Sequence, residues 1–451
     1  VTVPRPPWHH RFEYFLYRCV EGALARLDMT TCCSLGRGLG ALTYRLSGRY
    51  RRLVTRNLRI ATALQPLPES ELKALVQETF RRGGANLLAS LKTQILPVDE
   101  LAQCISPEAL QQLAAHRAAG VGTMVAMAHM GNWEALTRLG SKVLEPGTYG
   151  GVYRPLDNAL MDQLTEQRRT STGARLFSRK DGYYAPATFL REGGALAVLG
   201  DQRAGAHGVA MPFLGKLTTC PPLLELMARR GRARIAILEM RTTALGHWQL
   251  DLRPLPPQST TPAIMAALET TMRSSIADVF WFHDRWRANS EYPLSLFTKL
   301  DPATAATATV PLRLLLTTPP EANETSVQHF LRRLLEMRPD LRIERLQTAS
   351  ARSEDPRVLL HPWDPETPET FADSFLATID RTHPAPLDAF LLFGSELALA
   401  RAARRNDHKA ILGFQVQGKP WSRSLTPPSD LAGWTSLAES LHYIPRRHQK
   451  P

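Results

Sequence analysis

Apolar positions divide this chain into an amphipathic helical front, a long stretch of alternating strands and helices, and a shorter second stretch of the same kind. From Phe12 to Leu27 the residues Phe12, Phe15, Leu16, Cys19, Val20, Ala23, Leu24 and Leu27 recur at helical spacing. Leu35, Leu39, Leu42 and Tyr44 continue a looser pattern through a glycine-containing stretch, and residues 69–95 predict a further helix. Compact apolar runs then predict strands at 121–128, 148–153, 195–199, 235–240 and 247–252. Helices are expected between them at 131–139, 156–169 and 222–230. Such alternation implies an α/β fold with a largely parallel sheet flanked by helices, and polar residues at the carboxyl ends of its strands are the natural site candidates.

Small residues from Pro302 to Thr309 mark a linker. Beyond it, strands are expected at 312–316, 341–347, 389–393 and 410–414, with a helix at 327–337. The expected organisation is an N-terminal helical membrane-associating region (1–65), a catalytic α/β domain (66–300), a linker (301–310) and a small Rossmann-like α/β domain (311–451).

Composition adds little until charge is considered. With 451 residues, 43% of them hydrophobic and 22% charged, the chain can build two ordinary cores and is neither disordered nor fibrous. The net charge of +13 is concentrated at the front, where eleven Arg stand against three acidic residues in the first sixty positions. Arg45, Arg49, Arg51, Arg52, Arg56 and Arg59 follow the apolar face at once. An apolar helix face beside a dense arginine run is what an interfacial helix needs, with side chains among headgroups and guanidinium groups on phosphates. A basic nucleic-acid-binding protein is the rival class. No binding motif and no aromatic–basic interleaving supports it, so no nucleic acid is expected as a partner.

The five cysteines form no CxxC pair and no zinc-type spacing with histidine, and their odd number argues against a disulfide framework. No apolar run reaches the roughly 18–20 residues of a spanning helix. Val1 to Arg11 lacks the apolar core of a secretory signal. The expectation is a protein kept in the cytosol or lying on the cytoplasmic face of a membrane, peripherally or interfacially anchored.

The strongest local chemistry is Ala128-His129-Met130-Gly131-Asn132-Trp133-Glu134. An apolar strand delivers His129 to its end, a tight turn follows, and Glu134 falls in the first turn of the next helix. On one continuous helix, residues five apart point about 140° away from each other. A strand–turn–helix arrangement instead lets the carboxylate reach the imidazole. His129 is then a candidate general base for a hydroxyl, with Glu134 fixing its tautomer.

That block is followed by Val152-Tyr153-Arg154-Pro155, Asp157-Asn158, Arg168-Arg169 and Ser178-Arg179-Lys180-Asp181. Gly200-Asp201-Gln202, Pro212-Phe213-Leu214-Gly215 with Thr218-Thr219, and Trp281-Phe282-His283-Asp284-Arg285-Trp286-Arg287 come next. In this order, over roughly residues 10–298, the blocks resemble the bacterial lipid A late acyltransferases, the lauroyl/myristoyl transferase family. The resemblance implies a glycerolipid-acyltransferase-like fold and transfer of a fatty acyl chain from acyl-acyl carrier protein to a hydroxyl of a lipid A precursor, at the inner membrane. It implies His129 and Glu134 as the catalytic pair. Substrate-binding roles follow for Arg154, Arg168, Arg169, Asp201, Gln202 and Thr219, with Arg169 on a phosphate or oxyanion and Asp201 orienting it. It implies no cofactor and no metal, and its partners are acyl carrier protein and the membrane surface.

Two departures stand out. Arg203 and Ala204 occupy positions where some members carry an acidic residue and a bulky aromatic, and Cys220-Pro221-Pro222 replaces a glycine-containing segment. Residues 312–337 with Asp388 to Ser395 and Ala410 to Phe414 weakly resemble half of a heptosyltransferase-like glycosyltransferase. The loop Thr317-Thr318-Pro319-Pro320-Glu321 lacks the glycines of a working nucleotide site, which implies a non-catalytic appendage. Transfer to another envelope glycolipid or to a glycerophospholipid remains open, as does a non-catalytic scaffold, against which the presence of both His129 and Glu134 argues. No oligomeric state is implied.

Overall fold

Every residue of strand β1 (Thr123–Met127) is buried, as a predominantly apolar run requires when both faces of a sheet are covered. The computed structural model describes residues 6–105, 108–178, 182–318, 322–347, 353, 355–364, 369–393 and 396–442. The expected motif residues Arg179 to Asp181, Pro319 to Glu321, Gly394 and Ser395 lie outside the described residues. Two compact units are present. One comprises Val1–Ser47, Ala74–Gln202 and Pro221–Phe280, the other Gly48–Lys73, Arg203–Cys220 and Trp281–Pro451.

After β1 come β2 (Tyr149–Tyr153), β3 (Arg175–Ser178), β4 (Ala195–Leu199), β5 (Val209–Phe213), β6 (Lys216–Cys220), β7 (Arg234–Ala244) and β8 (His247–Pro254). The first unit holds a six-stranded sheet in the order β3-β2-β4-β1-β7-β8. Its pairings are parallel except β7 with β8. In the register of β1 and β4, Met127 faces Leu199. The Gly200 N–H then donates to the Met127 carbonyl at 2.8 Å, carrying the ladder one step further. His129 and Asp201 therefore emerge side by side at the carboxyl edge, each two residues past the last paired position.

Helices α1 (Trp8–Ala25), α2 (Met29–Leu46), α3 (Gly48–Ala61) and α4 (Glu69–Thr93) form the front of the chain. The first half of the α1 apolar stripe is uncovered, with Phe12 58%, Phe15 64% and Leu16 54% exposed, while Leu24 is buried. The glycine-containing stretch marks a close crossing of α2 with α4. A Cβ on Gly40 would stand 2.0 Å from the Phe80 carbonyl oxygen, and one on Gly36 2.4 Å from that of Gly84.

In the second unit β9 (Leu312–Thr317), β10 (Leu341–Gln347), β11 (Val358–Pro362), β12 (Ala389–Leu392), β13 (Ala410–Phe414) and β14 (Arg423–Leu425) run parallel in the order β11-β10-β9-β12-β13-β14. This is the doubly wound order 3-2-1-4-5-6. Where such folds seat a phosphate at the first helix N-terminus, the Glu324 carboxylate in the first turn takes Arg345 through two 2.7 Å bonds.

Ion pairs explain why α3 and the hairpin β5–β6 belong to this unit. Arg56 meets Asp388 at 2.6 Å and Lys216 meets it at 2.7 Å, Arg59 pairs with Asp380, and Arg52 with Asp407. Burial alone would raise the Asp388 carboxyl, but Lys216 and Arg56 hold it below its ordinary range. Three of the six clustered arginines expected to meet phosphates are thus engaged by carboxylates of their own unit, while Arg45 and Arg49 stay exposed. The observed units cut across the expected boundary at residue 65, and the expected linker contains a helical turn, Pro302–Ala306, capped by Asp301.

This unit should lose stability in mild acid. Burial pushes His408 and His383 down to about 4 from 6.5, with Arg56 adding to the effect on His408 and Arg313 to that on His383. Both bind a proton more readily when unfolded. Their stabilising effect is therefore complete above pH 6.5 and is lost as pH falls toward 4, by on the order of 3 kcal/mol for His408. Urea midpoints measured from pH 7 to pH 4 should fall, and His408→Gln should flatten the curve. An unchanged slope in that variant would remove His408 from the account.

Candidate active site

The turn after β1 is fixed from several sides. Gly131 adopts φ +62°, and a Cβ there would come within 2.6 Å of the Met240 carbonyl oxygen, so this left-handed turn needs glycine. Asn132 is fully buried, accepts from Ser90 Oγ at 3.0 Å and donates to Thr93 Oγ1 at 2.8 Å, tying the turn to α4. The His129 carbonyl accepts from the Phe280 N–H at 2.7 Å, and the Gly131 N–H donates to the Asp278 carbonyl at 3.1 Å. The buried Asp278 carboxylate is in turn held by Thr242, Ser275 and Arg82 at 2.6–3.0 Å.

On this frame His129 Nδ1 stands 2.6 Å from Asp201 Oδ1. Asp201 is fully buried. A carboxylate at that distance assigns the hydrogen to Nδ1 and leaves the Nε2 lone pair outward. The Gln202 amide nitrogen faces that Nε2 at 3.4 Å. Trp133 packs edge-on against the imidazole with ring centroids 5.3 Å apart, and Phe280 stands 6.0 Å from Trp133. The result is a histidine held against a buried acid through Nδ1, with Nε2 facing the Gln202 amide.

Glu134 takes a different partner from the one expected. Its two oxygens accept from Arg169 Nη2 at 2.7 and 2.8 Å and from Nε at 3.2 Å. Arg169 Nη1 has no partner among the described residues. The expected pairings are therefore exchanged: Asp201 orients His129 rather than Arg169, and Glu134 orients Arg169 rather than His129. Adjacent parallel strands set their ends side by side, which places Asp201 on the imidazole. The 3-10 turn Trp133–Ala135 carries Glu134 onward toward the end of helix Ala159–Thr170.

The remaining expected residues are scattered. Arg168 pairs with Glu21 of α1 and donates to Tyr17 Oη at 3.2 Å, while Asn158 donates to the His10 carbonyl at 3.0 Å and to Glu13 at 2.9 Å. These two fasten α1 to the sheet domain. Arg154 follows β2 at the same carboxyl edge and is exposed without a hydrogen bond among the described residues. Thr219 belongs to the second unit, in β6. Its hydroxyl is buried without a hydrogen-bond partner among the described residues.

A family model for the bacterial lipid A biosynthesis acyltransferases matches residues 8–288. The chain belongs to that family. The Lipid A biosynthesis lauroyltransferase of Escherichia coli (strain K12) is 29% identical over 150 residues, 33% of this chain and 46% of that protein, so the match spans about half of the relative. In this lipid A acyltransferase family member, residues that sequence reasoning passed over include Trp133, Asp278 and Phe280. Trp133 lay inside a recognised block, but nothing in its spacing marked it as the wall of the imidazole. Asp278 and Phe280 flank the start of the aromatic segment at Trp281, and only the fold brings them to the turn. Among the described residues no group of acidic, histidine or cysteine side chains is arranged to hold a metal ion.

Proposed function

We propose that this protein transfers a fatty acyl chain from acyl-acyl carrier protein to a hydroxyl of a lipid A precursor, with His129 as general base. The observation that carries this reading is the His129–Asp201 contact at the carboxyl edge of the sheet, within the stretch matched by the family. His129 Nε2 takes the proton from the acceptor hydroxyl as its oxygen attacks the thioester carbonyl carbon. Asp201 stabilises the imidazolium. The tetrahedral intermediate then collapses, the C–S bond breaks, and the leaving thiolate recovers the proton from His129, yielding an ester and a free thiol. Arg169, aimed by Glu134, directs Nη1 toward the developing oxyanion. No acyl-enzyme is formed.

The uncovered first half of the α1 apolar stripe supports an interfacial position from which a membrane-bound acceptor is reached. No helix among the described residues is long and apolar enough to cross a membrane. The doubly wound unit is assigned a non-catalytic role, in keeping with the carboxylate of Glu324 where a phosphate would sit.

The test is transfer of radiolabelled acyl chains from acyl-carrier-protein thioesters to a Kdo–lipid A precursor in detergent or vesicles. Labelled acyl-lipid A is expected. Label that enters only glycerophospholipid or another envelope glycolipid would discard the lipid A assignment, and label trapped covalently on the protein would discard the direct transfer.

A further inference from the structure

The second unit encloses a small, partly open cavity of about 20 Å³ lined in part by five basic residues, Arg203, Lys216, Arg285, Arg287 and Arg338. Two of these are neutralised within the unit, Lys216 by Asp388 at 2.7 Å and Arg338 by Asp340 at 2.8 Å. The other three are held differently. Arg203 donates through Nη1 to the Arg287 carbonyl at 3.0 Å and lies over the Phe297 ring at 5.6 Å. Arg285 is 2% exposed and stacks over Phe213 at 4.7 Å. Arg287 is exposed at the rim. Neither Arg203 nor Arg287 forms an ion pair among the described residues.

Burial pushes the Arg203 guanidinium below its ordinary value, Asp284 opposes that shift, and Arg287 adds to it. A guanidinium covered to this degree among other cations is costly unless an anion completes it. The Phe297 ring supplies only part of the compensation, since an aromatic face attracts a cation weakly. Arg203 also stands where the sequence departs from its family's pattern, so the feature belongs to this chain's own residues.

We propose that this cavity is an anion subsite that takes one phosphoryl group, clasped by Arg203 and Arg287 with Arg285 behind them. Size and charge select the ligand. The space admits a single compact group and no base or sugar. Guanidinium forks match the oxygens of a phosphate two at a time and hold a dianion better than they hold chloride. Resting on the lipid acyltransferase reading, a glycolipid phosphate and free inorganic phosphate share this chemistry, and the experiment separates the two sources.

The experiment titrates inorganic phosphate into the full chain by calorimetry at constant ionic strength. Saturable binding to one site is expected, weakened at least tenfold in Arg203→Gln and in Arg287→Gln. Arg381→Gln, an exposed arginine elsewhere on the same unit, serves as the charge control and should bind like the wild type. Because Arg287 is exposed, its substitution keeps the test informative if Arg203→Gln fails to fold. A second arm compares KM for a phosphorylated acceptor and its dephosphorylated counterpart. A KM raised in the variants for the phosphorylated acceptor alone supports the lipid source, and lost phosphate binding with an unchanged KM ratio supports a soluble phosphate source. Absent saturable binding to the wild type, or equal binding to the wild type and both variants, overturns the subsite. The titration needs no acyl transfer, so its outcome stays separate from that of the catalytic reading.

Discussion

Asp201→Asn is expected to lower kcat by roughly 10²- to 10⁴-fold, close to the loss on removing the imidazole itself. The reason is the 2.6 Å contact between Asp201 Oδ1 and His129 Nδ1 at a fully buried carboxylate. An asparagine amide carries no charge to stabilise the imidazolium. If its NH₂ turns toward Nδ1, the imidazole hydrogen is driven to Nε2, the nitrogen that must accept the proton. Water cannot substitute, because Asp201 is closed to solvent. Glu134→Gln is expected to cost less, on the order of tenfold, because it disturbs the aim of Arg169 while leaving His129 oriented. Steady-state rates of the two variants, with circular dichroism as a folding control, check this ordering. A larger loss in Glu134→Gln than in Asp201→Asn would restore Glu134 as the direct partner of His129.

The largest expected effect on stability is at Arg313, which sits in β9 with no exposed surface. Its guanidinium reaches Glu344 at 2.8 and 2.9 Å, the Ala385 carbonyl at 2.7 Å and the Ile379 carbonyl at 2.8 Å. Burial would raise the Glu344 carboxyl, but His361 and Arg313 bring it down to about 2. Arg313→Met removes the central cation and leaves the buried Glu344 carboxylate to His361 and Arg342. A loss of about 3–5 kcal/mol is expected. Adding Glu344→Leu should recover much of it, since the uncompensated charge then disappears. Hydrogen exchange of the β9, β10 and β12 amides reads this unit separately from the other. Full protection in Arg313→Met would mean that the pair contributes nothing, and no recovery in the double variant would mean that the cost lies in packing.

How much of this was legible in the sequence depended on whether a feature was local. The strands at 123–127, 195–199, 312–317 and 410–414 were readable because each is a short, predominantly apolar run. β3 carried no such signal, being a four-residue edge strand that begins with Arg175 and has one buried position. β5 and β6 were seen only as motif residues, although Leu214 and Gly215 form a two-residue turn with both φ positive, the geometry of a tight hairpin. Spacing found His129 and Glu134, and resemblance added Arg169 and Asp201. Which acid lies against His129 depends on strand order, since β1 and β4 are neighbours although Met127 and Leu199 are far apart in sequence. The ion pairs of Arg52, Arg56 and Arg59 were illegible for a related reason. Their carboxylate partners at 380, 388 and 407 lie more than three hundred residues away, and no local window contains them.

His129 is proposed to activate a lipid hydroxyl for direct acyl transfer. The most direct measurement is the rate of labelled acyl transfer from acyl-carrier-protein thioester to a Kdo–lipid A precursor by wild type and by His129→Ala, at matched folding. Product is expected from the wild type, with a rate at least about a hundredfold lower in His129→Ala. Equal rates in the two proteins would contradict it.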